Sequence, residues 1–322
     1  MKLFFYKILS WLNVKTMTNA ITHLIREARP SLSGSSCTTY SSIIRNVGKR
    51  AGVTIESAAD VEKHFPALWK TITSNDNPRS RKTVLSAFVV LCNGKIKQHL
   101  VDRMRHAMMS DVQVVKDDEN TLEMSETQRE NWMTYDEVMK KIAELGAEVK
   151  PLFKLEKPTV KQRARIQLYI ILMLLIGANI PPRRSQDLVE LQFADNSKNN
   201  FLDLKKKTIT YRVYKTSRAF GDQTIAINDN MIKLFKAWKK IVGDQEFVFV
   251  DTKGGKLSSQ KLNQMLNSFF APKKVGTSML RHIFITHRLA NVPKDIAEVA
   301  REMGHSVETN LAYRKIERED DE

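Results

Sequence analysis

The sequence has few of the residues that cross-link a protein or anchor it in a membrane. Only two cysteines, Cys37 and Cys92, occur in 322 residues, too few for a disulfide framework and without the spacing of a zinc site. A reducing, intracellular compartment is therefore expected. The longest apolar run, residues 168–176, has about half of the roughly 20 residues that a membrane-spanning helix requires. We expect a core helix there, and no membrane partner.

Signatures of ATP and metal chemistry are also missing from the sequence. No glycine loop of the form G-x-x-x-x-G-K-[ST], which would cradle phosphates, occurs. No acidic pair or histidine cluster has the spacing of metal ligands. The first dozen residues have a lysine and an apolar run, but Lys7 interrupts the run and no small-residue cleavage site follows. The sequence predicts no cofactor and no metal, and an N-terminal extension over residues 1–16.

Positive charge is what the sequence has in excess. Lysine and arginine number 52 against 36 acidic residues, which gives a formal net charge of +16 and a pI near 9.7. Such a balance points to a polyanionic partner. DNA, RNA and an anionic membrane all meet that description, and a merely basic soluble protein is the alternative until a motif narrows the choice.

The distribution of apolar residues predicts a mainly α-helical protein in two parts. Residues 17–110 show three- and four-residue apolar spacing throughout, which is typical of short helices. Residues 111–130 are crowded with acidic side chains and lack this spacing, which indicates a linker. A second domain is predicted over residues 131–316, starting with a capping box at Thr134 and Glu137, and residues 317–322 form an acidic tail.

The second domain also contains a short stretch with strand character. The segments KKTITYRVY and QTIAI, both rich in β-branched residues, flank the loop KTSRAFGD and predict a hairpin. FVFV at residues 247–250 predicts one more strand. The fold class is therefore mainly α with a small antiparallel β-sheet. The basic, then wholly apolar helix that ends before Pro181 should form the centre of this domain.

Five residues of the second domain suit attack on a phosphodiester without a metal. They are Arg184, Lys215 in the loop of the hairpin, Arg281 in LRH, His305 in GHS, and Tyr313, eight residues after His305. Arginine holds the charge that develops on phosphate oxygens, because its planar fork donates two parallel hydrogen bonds. A lysine can protonate the leaving 5′ oxygen, a histidine can bond a phosphate oxygen, and a tyrosine can form a phosphotyrosine that stores the bond energy.

At these residues the sequence resembles the tyrosine recombinase family, also called the phage integrase family. The resemblance covers roughly residues 133–315 and rests on the order and spacing of several motifs. The family's first arginine, with an acidic residue three positions later, falls on Arg184 and Asp187 in RRSQDL, and its hairpin lysine falls on Lys215 in VYKTSR. Its second arginine falls on Arg281 in SMLRH.

The family's later histidine and its nucleophile fall on His305 in MGHS and on Tyr313 in NLAYRK. Two departures are visible. Ser278 occupies the place of the histidine that leads the second arginine motif, and the tyrosine follows His305 by eight residues where about nine is common. The resemblance implies a helical core-binding domain at residues 17–110, a catalytic domain at residues 131–316, a 3′-phosphotyrosine intermediate, and a homotetramer on double-stranded DNA.

Several neighbouring residues have plainer interpretations. Arg183 is interpreted as a basic residue after a proline turn, and Lys205, Lys206, Lys207 and Arg218 as phosphate contacts. His282 and His287 are expected on a buried helix as hydrogen-bonded core residues, outside the catalytic set. Tyr211 and Tyr214 are expected in a strand.

Two other functions stay open at this point. A type IB DNA topoisomerase would share the chemistry, and a protein of the same fold could bind DNA without catalysis. The family's usual home is a virus, phage or other mobile element, which would place the chain in the host cytoplasm or, with its basic runs, in the nucleus.

Overall fold

The computed structural model describes residues 20–121, 123–177 and 179–289. Within them the chain forms two compact units that meet in sequence between Glu123 and Met124. Helices dominate both units and the second contains a small sheet, so the predicted mainly α-helical class is confirmed. No helix in these residues is long and apolar enough to cross a bilayer.

The first unit, in its described part, is built from helices alone. Their apolar faces form one core, in which both cysteines are buried as free thiols. Burial raises the pKa of the Cys92 thiol to about 12, so this thiol stays protonated at neutral pH. The helices are α1 (residues 20–28), α2 (Gly34–Arg50), α3 (Ala58–Lys63), α4 (Phe65–Thr73), α5 (Pro78–Cys92) and α6 (Gln98–Asn120).

The predicted acidic linker at residues 111–130 contains the boundary between the two units, but most of it is helical. Helix α6 runs on to Asn120, because Val115 packs inward and the buried carboxylate of Asp111 is neutralised by Arg81 of α5. A second helix, α7, follows at Glu126–Asn131 with its own capping box. The sequence pattern missed this because a buried aspartate resembles a solvated one until its partner, distant in sequence, is known.

The second unit surrounds the apolar helix that the sequence placed at its centre. Helix α9 is buried from Ile166 to Leu175 apart from its partly exposed Tyr169 and Met173. Helix α8 begins at the predicted capping box, where the Glu137 amide donates to Thr134 Oγ1 at 3.2 Å and the Thr134 amide donates to Glu137 Oε2 at 2.7 Å. The helices are α8 (Tyr135–Val149), a 3-10 turn (Pro151–Lys154), α9 (Val160–Leu175), α10 (Ser185–Val189), α11 (Ser217–Phe220), α12 (Asp229–Val242), α13 (Ser259–Phe269) and α14 (Thr277–Arg288).

The sheet of the second unit has four short strands in the order β1-β2-β3-β4: Leu191–Gln192, Asn200–Asp203, Thr208–Tyr211 and Gln223–Ala226. The predicted hairpin is β3 with β4, paired antiparallel. The prediction of a purely antiparallel sheet is wrong, because β1 pairs with β2 in parallel. Their connection folds back on itself, with the Asn199 side chain donating to the Ala194 carbonyl at 2.7 Å.

The strand predicted at residues 247–250 is reduced to isolated bridges. The backbone of Val250 is instead bonded by the buried side chain of Gln167 on α9. Gln167 Nε2 donates to the Val250 carbonyl at 3.0 Å, and the Val250 amide donates to Gln167 Oε1 at 2.9 Å. A side-chain amide from a helix thus takes the place of a neighbouring strand.

Candidate active site

Two neighbouring arginines at the start of α10 have different surroundings. They follow Pro181 and Pro182, and Arg184 is the N-cap of α10 in an extended conformation. Successive side chains of an extended segment point to opposite sides. Arg183 turns into the protein and Arg184 does not.

Arg183 contacts α10 and the hairpin through hydrogen bonds and two aromatic rings. Its Nε donates to Asp187 Oδ2 at 3.1 Å, and a terminal nitrogen donates to Gln223 Oε1 at 2.7 Å. The guanidinium carbon lies 4.3 Å from the ring centroid of Tyr211 and 4.8 Å from that of Tyr214. These are cation–π distances. Arg183 therefore joins α10 to the loop end of the hairpin formed by β3 and β4.

Arg184 and Arg281 lie near each other and are both half-buried. The pKa of Arg281 is lowered chiefly by burial and then by repulsion from Arg184, with Asp187 opposing the shift. Arginine nevertheless stays protonated at any working pH. Within the part of the chain that the structure describes, neither guanidinium forms a hydrogen bond or an ion pair. The fold has therefore brought together two positive charges that are free to bind an anion.

Helix α14, which carries Arg281, is held in place at both of its ends. At its start, Asn263 Oδ1 accepts the Thr277 amide at 3.0 Å, which satisfies one of the free N–H groups of a helix N-terminus. Further along, the ring of Phe284 packs so closely on Gly177 that a Cβ there would overlap it. Gly177 also has a φ of +75°, a conformation that favours glycine. These contacts fix Arg281 against the end of α9.

Asp187 is almost completely buried beside the arginines. Burial raises the pKa of its carboxyl group, while Arg183 and then the amide and charge of Arg184 oppose the shift. The sequence associated Asp187 with Arg184, but the side chain that donates to its carboxylate is that of Arg183. Asp187 Oδ1, the second terminal nitrogen of Arg183 and the Tyr211 hydroxyl are buried without a hydrogen-bond partner in the described residues. Unsatisfied buried groups of this kind are uncommon and are often found at functional sites.

Lys215 is exposed on the loop between β3 and β4, as predicted. Tyr214 precedes it, buried rather than in the expected strand, and its hydroxyl donates to the Gly221 carbonyl across the loop at 2.7 Å. The loop base is thereby closed next to Arg183. Lys207 lies at the opposite end of β3, where it pairs with Asp229 at 2.6 Å. It is therefore not part of the arginine site.

A buried asparagine that the sequence did not single out also connects α10 to this loop. Asn200 Nδ2 donates to the carbonyls of Asp187 at 2.9 Å and Val213 at 3.0 Å. Asn200 Oδ1 accepts the amides of Arg212 and Val213, each at 2.8 Å. Every hydrogen-bonding position of the amide is occupied. Neither Asn200 nor Arg183 carries a periodicity or motif signal that could have revealed this role.

The histidines of α14 are placed differently from the prediction. His282 and His287 are exposed rather than buried in the core. The His287 ring stacks on Tyr135 at 4.1 Å. Ser278, at the position of the family's histidine, is exposed in the first turn of α14.

Two of the five candidate site residues, His305 and Tyr313, lie outside the described residues, as do the predicted extension at residues 1–16 and the acidic tail. Among the residues that are described, no group of three or more His, Cys, Asp or Glu side chains is arranged to hold a metal ion.

Comparison with known proteins agrees with the motif order. Residues 146–318 match the model of the phage integrase family. None of the curated protein sequences matches the chain significantly. Among solved structures, the chain is similar to the XerA recombinase, with 15% identity, a TM-score of 0.35, and coverage of 93% of this chain and 94% of that chain. It is also similar to the XerH site-specific recombinase bound to difH substrate in a pre-cleavage complex, with 17% identity, a TM-score of 0.38, and coverage of 93% of each chain.

Proposed function

This chain belongs to the phage integrase family of tyrosine recombinases, and we propose that it cuts and rejoins DNA at specific sites through a 3′-phosphotyrosine formed by Tyr313. The observation that carries this proposal is the pair formed by Arg184 and Arg281. Two half-buried guanidinium groups repel each other and lack an acidic partner in the described residues. A phosphate between them would relieve that repulsion.

The same pair is suited to the transition state of the reaction. Negative charge grows on the nonbridging oxygens as the phosphoryl group is transferred, and fixed cations in a partly desolvated site stabilise it without reorganising. Each arginine can donate two parallel hydrogen bonds to one phosphate. Arg183 neutralises Asp187 and so leaves the charge of both neighbouring arginines available.

The family motifs assign the remaining steps of strand cleavage to Tyr313, Lys215 and His305. The Tyr313 oxygen attacks the phosphorus as its hydroxyl gives its proton to water, and the bond from phosphorus to the 5′ oxygen breaks. Lys215 donates a proton to that oxygen, and His305 donates a hydrogen bond to the phosphate. The reverse attack by a 5′ hydroxyl rejoins a strand, so neither ATP nor a metal ion is needed for this cycle.

The tyrosines beside the arginines are poor candidates for the nucleophile. Tyr211 is fully buried, and burial raises the pKa of its hydroxyl. The hydroxyl of Tyr214 is engaged with the Gly221 carbonyl. This supports assigning the attack to Tyr313, which the family motif places after His305.

Double-stranded DNA is the proposed partner, bound by a homotetramer in which each subunit cuts one strand. The net charge of +16 predicts that phosphate contacts and counterion release provide most of the affinity, so binding should weaken steeply as salt concentration rises.

A covalent trapping assay tests the proposal. The full chain is incubated in EDTA with a nicked duplex that contains its crossover site, selected beforehand from random-sequence duplexes by binding. The nick lets the short 5′ fragment diffuse away, so the adduct accumulates and shifts on a denaturing gel. We expect an adduct with wild type and with Tyr169→Phe, a control tyrosine on α9, and none with Tyr313→Phe.

The other outcomes identify the alternatives. Sequence-independent relaxation of supercoiled plasmid, without exchange between two sites, would favour a type IB topoisomerase. Binding of the selected site without any adduct would favour a DNA-binding protein without catalysis.

A further inference from the structure

Arg183 lies between the two elements that carry the proposed catalytic groups of the described chain. It directly precedes Arg184 in the sequence, and its guanidinium packs on the ring of Tyr214, which directly precedes Lys215. We propose that Arg183 is a positioning residue. It holds the loop in the position from which Lys215 can donate a proton to the 5′ oxygen. This inference rests on the proposed function.

The contacts of Arg183 reach three parts of the hairpin and one of α10. The two rings that it contacts belong to the last residue of β3 and to the loop, and Gln223, which accepts one of its hydrogen bonds, is the first residue of β4. Asp187 fixes the guanidinium to α10. Since both strands and the loop base are held by one planar group, a displacement of Arg183 would move the whole loop.

Other contacts also shape this loop, and Arg212 before it pairs with Asp195 at 2.7 Å and with Asp222 at 3.1 Å. Within the described residues Lys215 is exposed, and Phe220 on α11 is 67% exposed. The closing bond from Tyr214 to Gly221 fixes the shape of the loop base, and Asn200 fixes the preceding residues Arg212 and Val213. Asn200 binds the main chain at Val213, whereas Arg183 packs on the ring of Tyr214, which directly precedes Lys215.

A positioning role for Lys215 predicts a specific chemical rescue. If the leaving 5′ oxygen is replaced by sulfur, the leaving group is a thiolate. Its thiol, like that of cysteine, has a pKa of about 8.5, so the thiolate can leave without a general acid. A defect that arises only from misplaced Lys215 should then disappear, whereas a defect in phosphate binding should persist. The ratio of cleavage rates on the oxygen and sulfur substrates therefore reports on proton donation alone.

The experiment measures single-turnover formation of the covalent adduct by the full chain, on matched duplexes with a 5′ oxygen or a 5′ bridging sulfur. We expect Arg183→Gln to slow cleavage of the oxygen substrate by roughly 100-fold, the size of effect that a displacement of about 1 Å can have. On the sulfur substrate its rate should return to within about threefold of wild type. Lys215→Ala should show the same pattern, and Arg184→Ala should be slow on both substrates.

Two further variants keep the test decisive. Tyr214→Phe removes only the hydroxyl that closes the loop, so it should fold even if Arg183→Gln does not, and it should show a smaller defect with the same rescue. Arg218→Gln removes a charge from the same loop without touching Arg183, and its ratio of oxygen to sulfur rates should equal that of wild type.

Other results would overturn the inference. Equal slowing of Arg183→Gln and Tyr214→Phe on both substrates, or no slowing on either, would show that Arg183 does not act through Lys215. Wild type that forms no adduct with either substrate would instead contradict the proposed function, and with it the inference.

Discussion

Each of the two units contains a buried aspartate paired with an arginine, but only one of the pairs is complete. In the first unit, Arg81 Nε donates to Asp111 Oδ2 at 2.9 Å, one terminal nitrogen donates to the other carboxylate oxygen, and the last donates to the Asn75 carbonyl at 2.7 Å. In the second unit, one carboxylate oxygen of Asp187 and one terminal nitrogen of Arg183 have no partner in the described residues.

The charge around the two pairs differs as well. Asp111 is matched by one arginine, whereas Asp187 lies near three, and the surplus repulsion contributes to the lowered pKa of Arg281. A complete pair stabilises the fold, while an incomplete pair with excess positive charge is suited to binding an anion. Substitutions at and beside the two pairs should therefore separate a role in stability from a role in binding an anion.

The largest expected effect is on DNA cleavage, at the two arginines that lie beside the incomplete pair. Arg184→Ala and Arg281→Ala should each lower single-turnover cleavage by about 10³-fold, the cost of removing one transition-state donor. Their unfolding free energy should change by less than about 0.5 kcal/mol, since neither guanidinium has a partner to lose among the described residues. Covalent-adduct kinetics and urea unfolding measure the two quantities, and Arg288→Ala on the exposed end of α14 is the control. A large loss of stability with little loss of cleavage would assign these arginines to the fold.

The next effect is on stability at the complete pair. Arg81→Met should lower the free energy of unfolding by about 3 kcal/mol, because it leaves the Asp111 carboxylate buried and unpaired. The double variant Arg81→Met with Asp111→Leu should recover most of this loss, since it removes both charges. Urea unfolding of the three proteins tests this, and a loss below about 1 kcal/mol for Arg81→Met would mean that water reaches Asp111.

A smaller effect should appear in the pH dependence at Asp187. Because burial raises the pKa of this carboxyl group in the folded state, protonation favours folding. The stability of wild type relative to Asp187→Asn should be greatest below the unfolded-state pKa and should fall as pH rises through the folded-state pKa. Urea unfolding at pH values between about 4 and 7 checks the sign. An increase with pH would show that the arginines outweigh burial and hold Asp187 as an anion.

The smallest effect on the free energy of unfolding is expected at Arg79, which lies near Arg81 on α5 but is exposed. Its terminal nitrogens each lie 2.6 Å from a carboxylate of α6, on Asp118 and Glu119. Exposed pairs contribute little, so Arg79→Ala should cost at most about 0.5 kcal/mol, and less in high salt. If Arg79→Ala costs as much as Arg81→Met, burial does not explain the difference between the pairs.

Much of the local structure could be predicted from the sequence. The capping box at Thr134, the buried helix α9 and the hairpin of β3 and β4 each depend on residues close together in the chain, where spacing and residue type are sufficient. The same holds for Arg184, Lys215 and Arg281 as candidates, since short motifs mark them. What the sequence missed were the helices within residues 111–130, the reduction of the strand at Val250 to a bridge, and the burial of Tyr214 outside a strand.

Each of these failures has the same cause. Asp111, Val250 and Tyr214 take their structural roles from partners far away in sequence, namely Arg81, Gln167 and Arg183. The sequence by itself determined the helical class, the excess of positive charge and the residue types able to handle a phosphodiester. Only the tertiary structure decided that Arg183 would contact Asp187, Gln223 and two tyrosine rings while the Arg184 guanidinium has no partner among the described residues. Charge pairing depends on which distant segments pack together.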